Sequence, residues 1–223
     1  MTNTGRAVFS DVEGTLINIS FPRTYLEEAR ALGLVPLPNQ ALAALFAVLA
    51  KPFSSKSRIG GIFRYLGIMN AMRGLDASIN PAVMARVNPL LQAALKPEPI
   101  ALIRGYEAQG YSVILVSAAF EAGIKSFAAT LGWQGEGTRL IMENTRFTGK
   151  AEKPLSGEEK AVRVRSVAQA MQIDLSASVG FGDTVTDVPF LSLLGTAHVV
   201  DPDAELRAIA QQKGWTILDT ATS

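Results

Sequence analysis

The sequence contains no cysteine and one histidine, His198. The first absence excludes disulfides and thiolate-held metals. The second excludes a metal site built from several imidazoles and argues against a Ser-His-Asp triad. Charge is scarce and balanced: 21 basic against 20 acidic residues, 18% of the chain, for a net +1. That is not the electrostatic footprint of a nucleic-acid binder, so no nucleic-acid partner is expected. Long apolar runs are missing too. A long uncharged stretch, residues 32–50, is broken by Pro36, Pro38, Asn39 and Gln40. Its clean part, Ala41–Ala50, falls short of the roughly 20 residues that a bilayer span needs. The opening MTNTGR lacks the apolar segment of a secretory signal. The expectation is a cytoplasmic protein without stable membrane insertion.

What is present supports a large core. The chain has 223 residues, 48% of them hydrophobic. Residues 7–10, 111–118, 177–183, 197–200 and 215–219 read as strands. The run YSVILVSA, 111–118, is apolar with no internal charge, as in a parallel strand covered on both faces. Helical patterns at 97–109, 121–131, 158–172, 187–194 and 203–213 alternate with the strands. Such alternation predicts an α/β fold, a parallel sheet with helices on both faces. Residues 18–96 differ, with helix formers throughout and almost no strand pattern. The predicted organisation is a core of 1–17 and 97–223, interrupted by an α-helical insert at 18–96. Short strand-like pieces at 137–150 suggest a hairpin or small excursion.

In open α/β sheets, ligands bind beyond the carboxyl ends of the strands. Those ends are chemically marked here. The first strand runs into Asp11-Val-Glu13-Gly-Thr15, the second into Ser117-Ala118-Ala119, and the third into Gly182-Asp183, with Asp187 four residues on. Lys160 opens a helix between the second and third. Carboxylates without histidine or thiolate select hard cations, Mg²⁺ above all. A carboxylate can attack phosphorus, and a cation, a lysine, a hydroxyl and backbone N–H groups can neutralise the phosphoryl oxygens. A second acid can protonate the leaving alcohol and then activate water. Asp11 suits the first task and Glu13 the second, provided the chain leaves strand geometry between Val12 and Gly14.

The segments DVEGT (11–15), VSAAF (116–120), GEEK (157–160) and GFGDTVTD (180–187) resemble the four ordered motifs of the haloacid dehalogenase (HAD) superfamily. The likeness is to its phosphoserine-phosphatase-like branch, and HVVDPDAELRAIAQQKGW (198–215) adds to it. The resemblance implies a HAD-type Rossmann-like core with an inserted α-helical cap. It also implies a Mg²⁺-dependent phosphomonoesterase that works through an aspartyl-phosphate on a small-molecule phosphate ester. Asp11 would be the nucleophile and a Mg²⁺ ligand. The Glu13 carbonyl would bind Mg²⁺ and its side chain would be the general acid/base. Ser117 and the Ala118 N–H would hold phosphoryl oxygens, Lys160 would stabilise Asp11 and the transferring group, Asp183 would ligate Mg²⁺, and Asp187 would order the ligand shell.

The chain departs from that pattern in places. Position 13 is Glu where most members of the family have Asp. Ala118-Ala119 and Thr186 stand where the branch favours Gly-Gly and Asn. NISFPR, 18–23, carries no acid to grip an amino group, so phosphoserine is not the expected substrate. Plainer roles stand beside these. Ser117 would cap a helix near Glu121, and Asp183 and Asp187 would be turn and N-cap residues. Lys150 and Lys153 compete with Lys160. His198 reads as structural. The stretch ALAALFAVLA, 41–50, reads as core of the insert, with a lipid-facing wall as the other reading. Arg58, Arg64 and Arg73 read as a solvated helix face. A phosphomutase, or a catalytically weak phospho-ligand or partner-binding module, is the alternative function. Sequence leaves the oligomeric state open.

Overall fold

A computed structural model describes residues 5–52 and 58–220. In chain order the elements are β1 (Ala7–Ser10), α1 (Phe21–Ala31), α2 (Leu37–Ala50), α3 (Arg58–Met72), α4 (Asn80–Ala93), α5 (Pro97–Ala108) and β2 (Ser112–Phe120). They continue as α6 (Glu121–Thr130), β3 (Gln134–Thr138), β4 (Leu140–Glu143), β5 (Arg146–Ala151), α7 (Glu158–Ala170) and β6 (Val179–Gly182). The last are α8 (Val188–Leu191), β7 (Thr196–Val200), α9 (Ala204–Lys213) and β8 (Thr216–Leu218).

Six strands form one sheet in the order β3-β2-β1-β6-β7-β8, every pairing parallel. β1 sits inside it, hydrogen-bonded to β2 and β6, and all four of its residues are buried. A strand covered on both faces needs an unbroken apolar or small run, which Ala7-Val-Phe-Ser supplies. Around the sheet, Phe9, Ile114, Val116, Val164, Phe190, Val199 and Leu206 belong to one buried cluster. His198 lies in β7, stacked on Phe181 at 4.6 Å and 3.2 Å from the Tyr106 hydroxyl, in keeping with a structural residue.

β3 is an edge strand that periodicity did not mark, since Gln134-Gly-Glu-Gly-Thr is rich in glycine. Both glycines answer a close approach. A Cβ on Gly135 would lie 2.9 Å from the Ile124 carbonyl oxygen, and one on Gly137 would lie 2.7 Å from that of Ala119. β2 runs two residues further than its apolar pattern of 111–118, through Ala119 to Phe120, with a register shift against β3. Ala118-Ala119 therefore belongs to an irregular strand end, not to a free loop.

By contact, the chain divides into two units. One comprises Met1–Ser20, Leu90–Thr138 and Lys153–Ser223, and contains the six-stranded sheet. The other comprises Phe21–Pro89 and Arg139–Glu152. The expected insert, 18–96, differs from this second unit at its edges, and the hairpin expected to belong to the core groups with the helices. Its reason is local. β4 and β5 form an antiparallel pair, and the backbone of 74–77 bonds to it through Gly74 N to Phe147 O (2.7 Å), Phe147 N to Leu75 O (2.9 Å) and Ala77 N to Thr145 O (2.8 Å). The helical unit thus carries a strand-like annex that its own sequence, 18–96, did not announce.

Candidate active site

Asp11 is the first residue past β1, and its N–H still bonds the Phe181 carbonyl of β6 at 2.9 Å. Sheet pairing therefore fixes its backbone. The chain then turns sharply: the Leu16 and Ile17 N–H groups both donate to the Val12 carbonyl, and Gly14 N–H donates to that of Ile17. Gly14 has φ +84°, the left-handed region open to glycine. The turn brings Asp11 and Glu13 to one cleft of about 160 Å³, lined also by Ser117, Ala118, Ser156, Lys160, Asp183, Thr184, Thr186 and Asp187. All seven residues expected at the site line this cleft.

Lys160, in the first turn of α7, is buried and holds two carboxylates at once. Its Nζ lies 2.8 Å from Asp11 Oδ1 and 2.6 Å from Asp187 Oδ1. The other oxygen of Asp187 accepts from the N–H groups of Asp183 and Thr184 and from the Thr184 hydroxyl, each at 3.1 Å. Asp187 thus shapes the loop after β6, as a turn residue does, while also facing the lysine. Thr15 Oγ1 donates to Asp183 Oδ1 at 2.9 Å and reaches Asp11 Oδ2 at 3.4 Å. Ser117 does not cap α6. Its Oγ accepts from the Ala119 N–H at 3.1 Å, which leaves its own hydrogen for another acceptor. Thr138 Oγ1 donates to the Ala118 carbonyl at 2.7 Å and accepts from the Leu155 N–H at 3.0 Å, which fixes that peptide.

One ammonium faces three carboxylates, and the titration behaviour reflects the imbalance. Burial alone would lower the Lys160 pKa, but the charges of Asp11 and Asp187 override it and hold the value above normal. Burial raises the Asp11 pKa, and the Lys160 charge and hydrogen bond oppose the rise. Asp183 is pushed up to about 8, first by burial and then by the charges of Asp11 and Asp187. Oxygens of Asp11, Asp183 and Asp187 lie within 4.8 Å of one another. The cluster thus carries negative charge that its lysine does not balance. An all-oxygen donor set of this kind fits a hard divalent cation. Gly14 keeps the space open: a Cβ there would stand 2.1 Å from Asp183 Oδ2.

Four contributors had no role assigned from sequence, although Thr15 and Thr184 lie within the quoted motifs. Ser156 and Thr184 line the cleft, and Thr15 ties Asp183 to the Asp11 turn. Lys96, the last residue of the expected insert, donates from Nζ to the Gly14 carbonyl and pairs with Asp201 at 2.8 Å. The available signal was an isolated lysine where the chain re-enters the sheet. Of the insert's arginines, the side chains of Arg58 and Arg64 lie outside the described residues. Arg73 lines a cleft of about 520 Å³ within the helical unit, together with Arg146 and Lys150.

A family model described as haloacid dehalogenase-like hydrolase matches residues 8–192. A probable phosphatase of Mycobacterium tuberculosis is 31% identical over 153 residues, 68% of this chain and 53% of that protein. A phosphoserine phosphatase of the same organism is 38% identical over 112 residues, 49% of this chain and 36% of that protein. The chain spans about half the length of the first of these curated relatives. Among solved structures, a protein of unknown function from Bordetella pertussis shares the fold. Its TM-score is 0.77 at 22% identity, over 97% of this chain and 99% of that one.

Proposed function

The chain belongs to the haloacid dehalogenase-like hydrolases, and from that premise we propose that it is a Mg²⁺-dependent phosphomonoesterase that works through an aspartyl-phosphate on Asp11. The observation that carries this reading is the buried Lys160 bridging Asp11 and Asp187, with Asp183 in reach and Ser117 in the same cleft. The phosphatase names of the curated relatives support it.

In this reading, a carboxylate oxygen of Asp11 attacks phosphorus. The bond from phosphorus to the ester oxygen breaks, and the Glu13 carboxyl gives its proton to the departing alkoxide. An acyl phosphate is left on Asp11. Glu13, now ionised, takes a proton from water, and the water oxygen attacks phosphorus to free Asp11 and inorganic phosphate. Lys160 favours the ionised form of Asp11 and offsets charge on the transferring group. The Ser117 hydroxyl and Ala118 N–H would bind phosphoryl oxygens. Asp11, Asp183 and the Glu13 carbonyl would hold Mg²⁺, with Asp187 ordering the shell. When bound, the ion supplies positive charge opposite the non-bridging oxygens.

The substrate we propose is a small phosphate ester other than phosphoserine, met in the cytoplasm. α1 begins at Phe21 with no acid in its first turn, in keeping with the acid-free NISFPR. A panel of amino-acid, sugar, nucleotide and lysolipid phosphates, assayed with Mg²⁺ and again with EDTA, tests both points. Metal-dependent release of phosphate is the expected result, with phosphoserine among the poorer substrates. Turnover unaffected by exhaustive chelation would refute the metal assignment. Product analysis separates hydrolysis from a phosphomutase, which returns an isomeric ester in place of free phosphate.

A further inference from the structure

From Ala41 onward α2 is apolar around its whole circumference, yet it packs along one line only. Ala43 and Phe46 meet α3, where the Phe46 and Phe63 rings stack at 6.5 Å. A Cβ on Gly67 would stand 3.3 Å from that of Phe46, so the missing side chain lets the two helices approach. Ala50 is also buried, while the other faces of this stretch are exposed: Leu42, Leu45 (53% exposed), Val48 (56%) and Leu49, with Ala41, Ala44 and Ala47 between them. α3 adds Ile59 (53%), Ile62 (51%) and Tyr65, each three residues from the last and so on one side of the helix.

A helix that is apolar all round belongs in a large core or in lipid, and a contiguous exposed apolar surface marks an interaction site. Length excludes a span. The 14 residues of α2 reach about 21 Å at 1.5 Å per residue, short of a hydrocarbon core of about 30 Å. No described helix is long and apolar enough to cross a membrane.

Charge selects the occupant. Between Glu28 and Asp76 the sequence has no acidic residue, while Arg30, Lys51, Lys56, Arg58, Arg64 and Arg73 all fall there. In a chain with 21 basic and 20 acidic residues, that segregation is local. The exposed Lys51 follows directly on α2. An exposed apolar helix that runs into an exposed lysine, within a stretch of sequence that has cations and no acids, matches the interface of an anionic bilayer. A two-fold contact with a second copy would instead set a segment with cations and no acids against itself. We propose that the outer face of the α2–α3 pair docks the protein onto an anionic lipid surface.

The test is co-sedimentation of the whole chain with vesicles of phosphatidylcholine alone, or with phosphatidylglycerol added. It reads binding without turnover, so it stands apart from the chemistry proposed at Asp11. Wild type should pellet with the anionic vesicles at low salt, less at high salt, and weakly with the neutral ones. Leu45→Glu with Val48→Glu places acids on positions already exposed and should weaken partitioning by roughly tenfold or more. Lys51→Glu should weaken it roughly tenfold on anionic vesicles alone, and it decides the matter if the double variant does not fold by circular dichroism. Failure of wild type to pellet with anionic vesicles would overturn the proposal. So would unchanged binding by the folded variants, or a wild-type dimer in sedimentation velocity that the double variant breaks.

Discussion

Gly14 is the most informative single position, because its replacement separates backbone strain from the geometry of the carboxylate cluster. Gly14 and Gly33 both lie in the left-handed region, at φ +84° and +70°. An alanine there costs about 1–2 kcal/mol per residue. In a domain of this size that lowers the melting temperature by roughly 2–8 °C. Gly33→Ala should show that loss and nothing else, since no heavy atom lies within 4 Å of its added Cβ. In Gly14→Ala the Cβ would stand 2.1 Å from Asp183 Oδ2 and 2.6 Å from Asp183 Cγ. Carbon contacts are comfortable near 3.5 Å, so the carboxylate must withdraw by roughly an ångström and give up its 2.9 Å bond from Thr15. The assay is thermal melting with EDTA and then with Mg²⁺, alongside phosphate-ester turnover. Mg²⁺ at a hundred times its Kd stabilises by about 2.7 kcal/mol. Wild type and Gly33→Ala should show that rise, while Gly14→Ala should lose most of it and most of its turnover. Equal Mg²⁺ responses in the two glycine variants would refute the claim that this turn keeps Asp183 in place for a cation.

The remaining predictions concern the charged groups of the cleft. Glu13→Gln should lose about 10²–10⁴-fold on alkyl phosphates and much less on p-nitrophenyl phosphate, whose phenolate leaves without a proton. Equal losses would remove Glu13 from the proton transfer. Lys160→Met leaves Asp11 and Asp187 buried without their cation and should destabilise the metal-free protein by about 3–5 kcal/mol, read by urea titration. Asp183 titrates near 8 in the folded chain, against about 3.9 unfolded. Between those values the folded chain keeps a proton that the unfolded chain has lost, so the group's contribution to stability falls as pH rises from about 4 to about 8. Asp183→Asn should therefore raise the metal-free melting temperature more at pH 8 than at pH 5. The opposite pH trend would show that Asp183 is not charge-strained.

The core was legible because its strands obey a simple rule. Parallel strands covered on both faces are unbroken apolar runs, and β1, β2, β6 and β7 all stood out for that reason. The carboxyl ends of β1, β2 and β6 then named most of the cleft. β3 escaped because its glycines serve the approach of α6 and not strand propensity. The hairpin of β4 and β5 was visible, but its allegiance was not. That depends on backbone bonds to residues 74–77, some seventy positions earlier in the chain. Lys96 and Thr15 were silent for a similar reason. A lysine bonded to the Gly14 carbonyl, or a threonine bonded to Asp183, has no local pattern, since its partner comes from a different part of the sequence. The outer face of α2 misled in the opposite sense. Its composition reads as core, and the exposure of Leu45 and Val48 emerges only from the fold.

The proposed covalent phosphoryl group on Asp11 is open to direct detection. Mixing the protein with Mg²⁺ and a turned-over phosphate ester, quenching in acid within the first turnovers and digesting for mass spectrometry tests it directly. The predicted result is one phosphoryl group on the peptide that contains Asp11, absent from a folded and inactive Asp11→Asn protein. Wild-type turnover by Asp11→Asn, or a phosphoryl group trapped on another residue, would contradict the account.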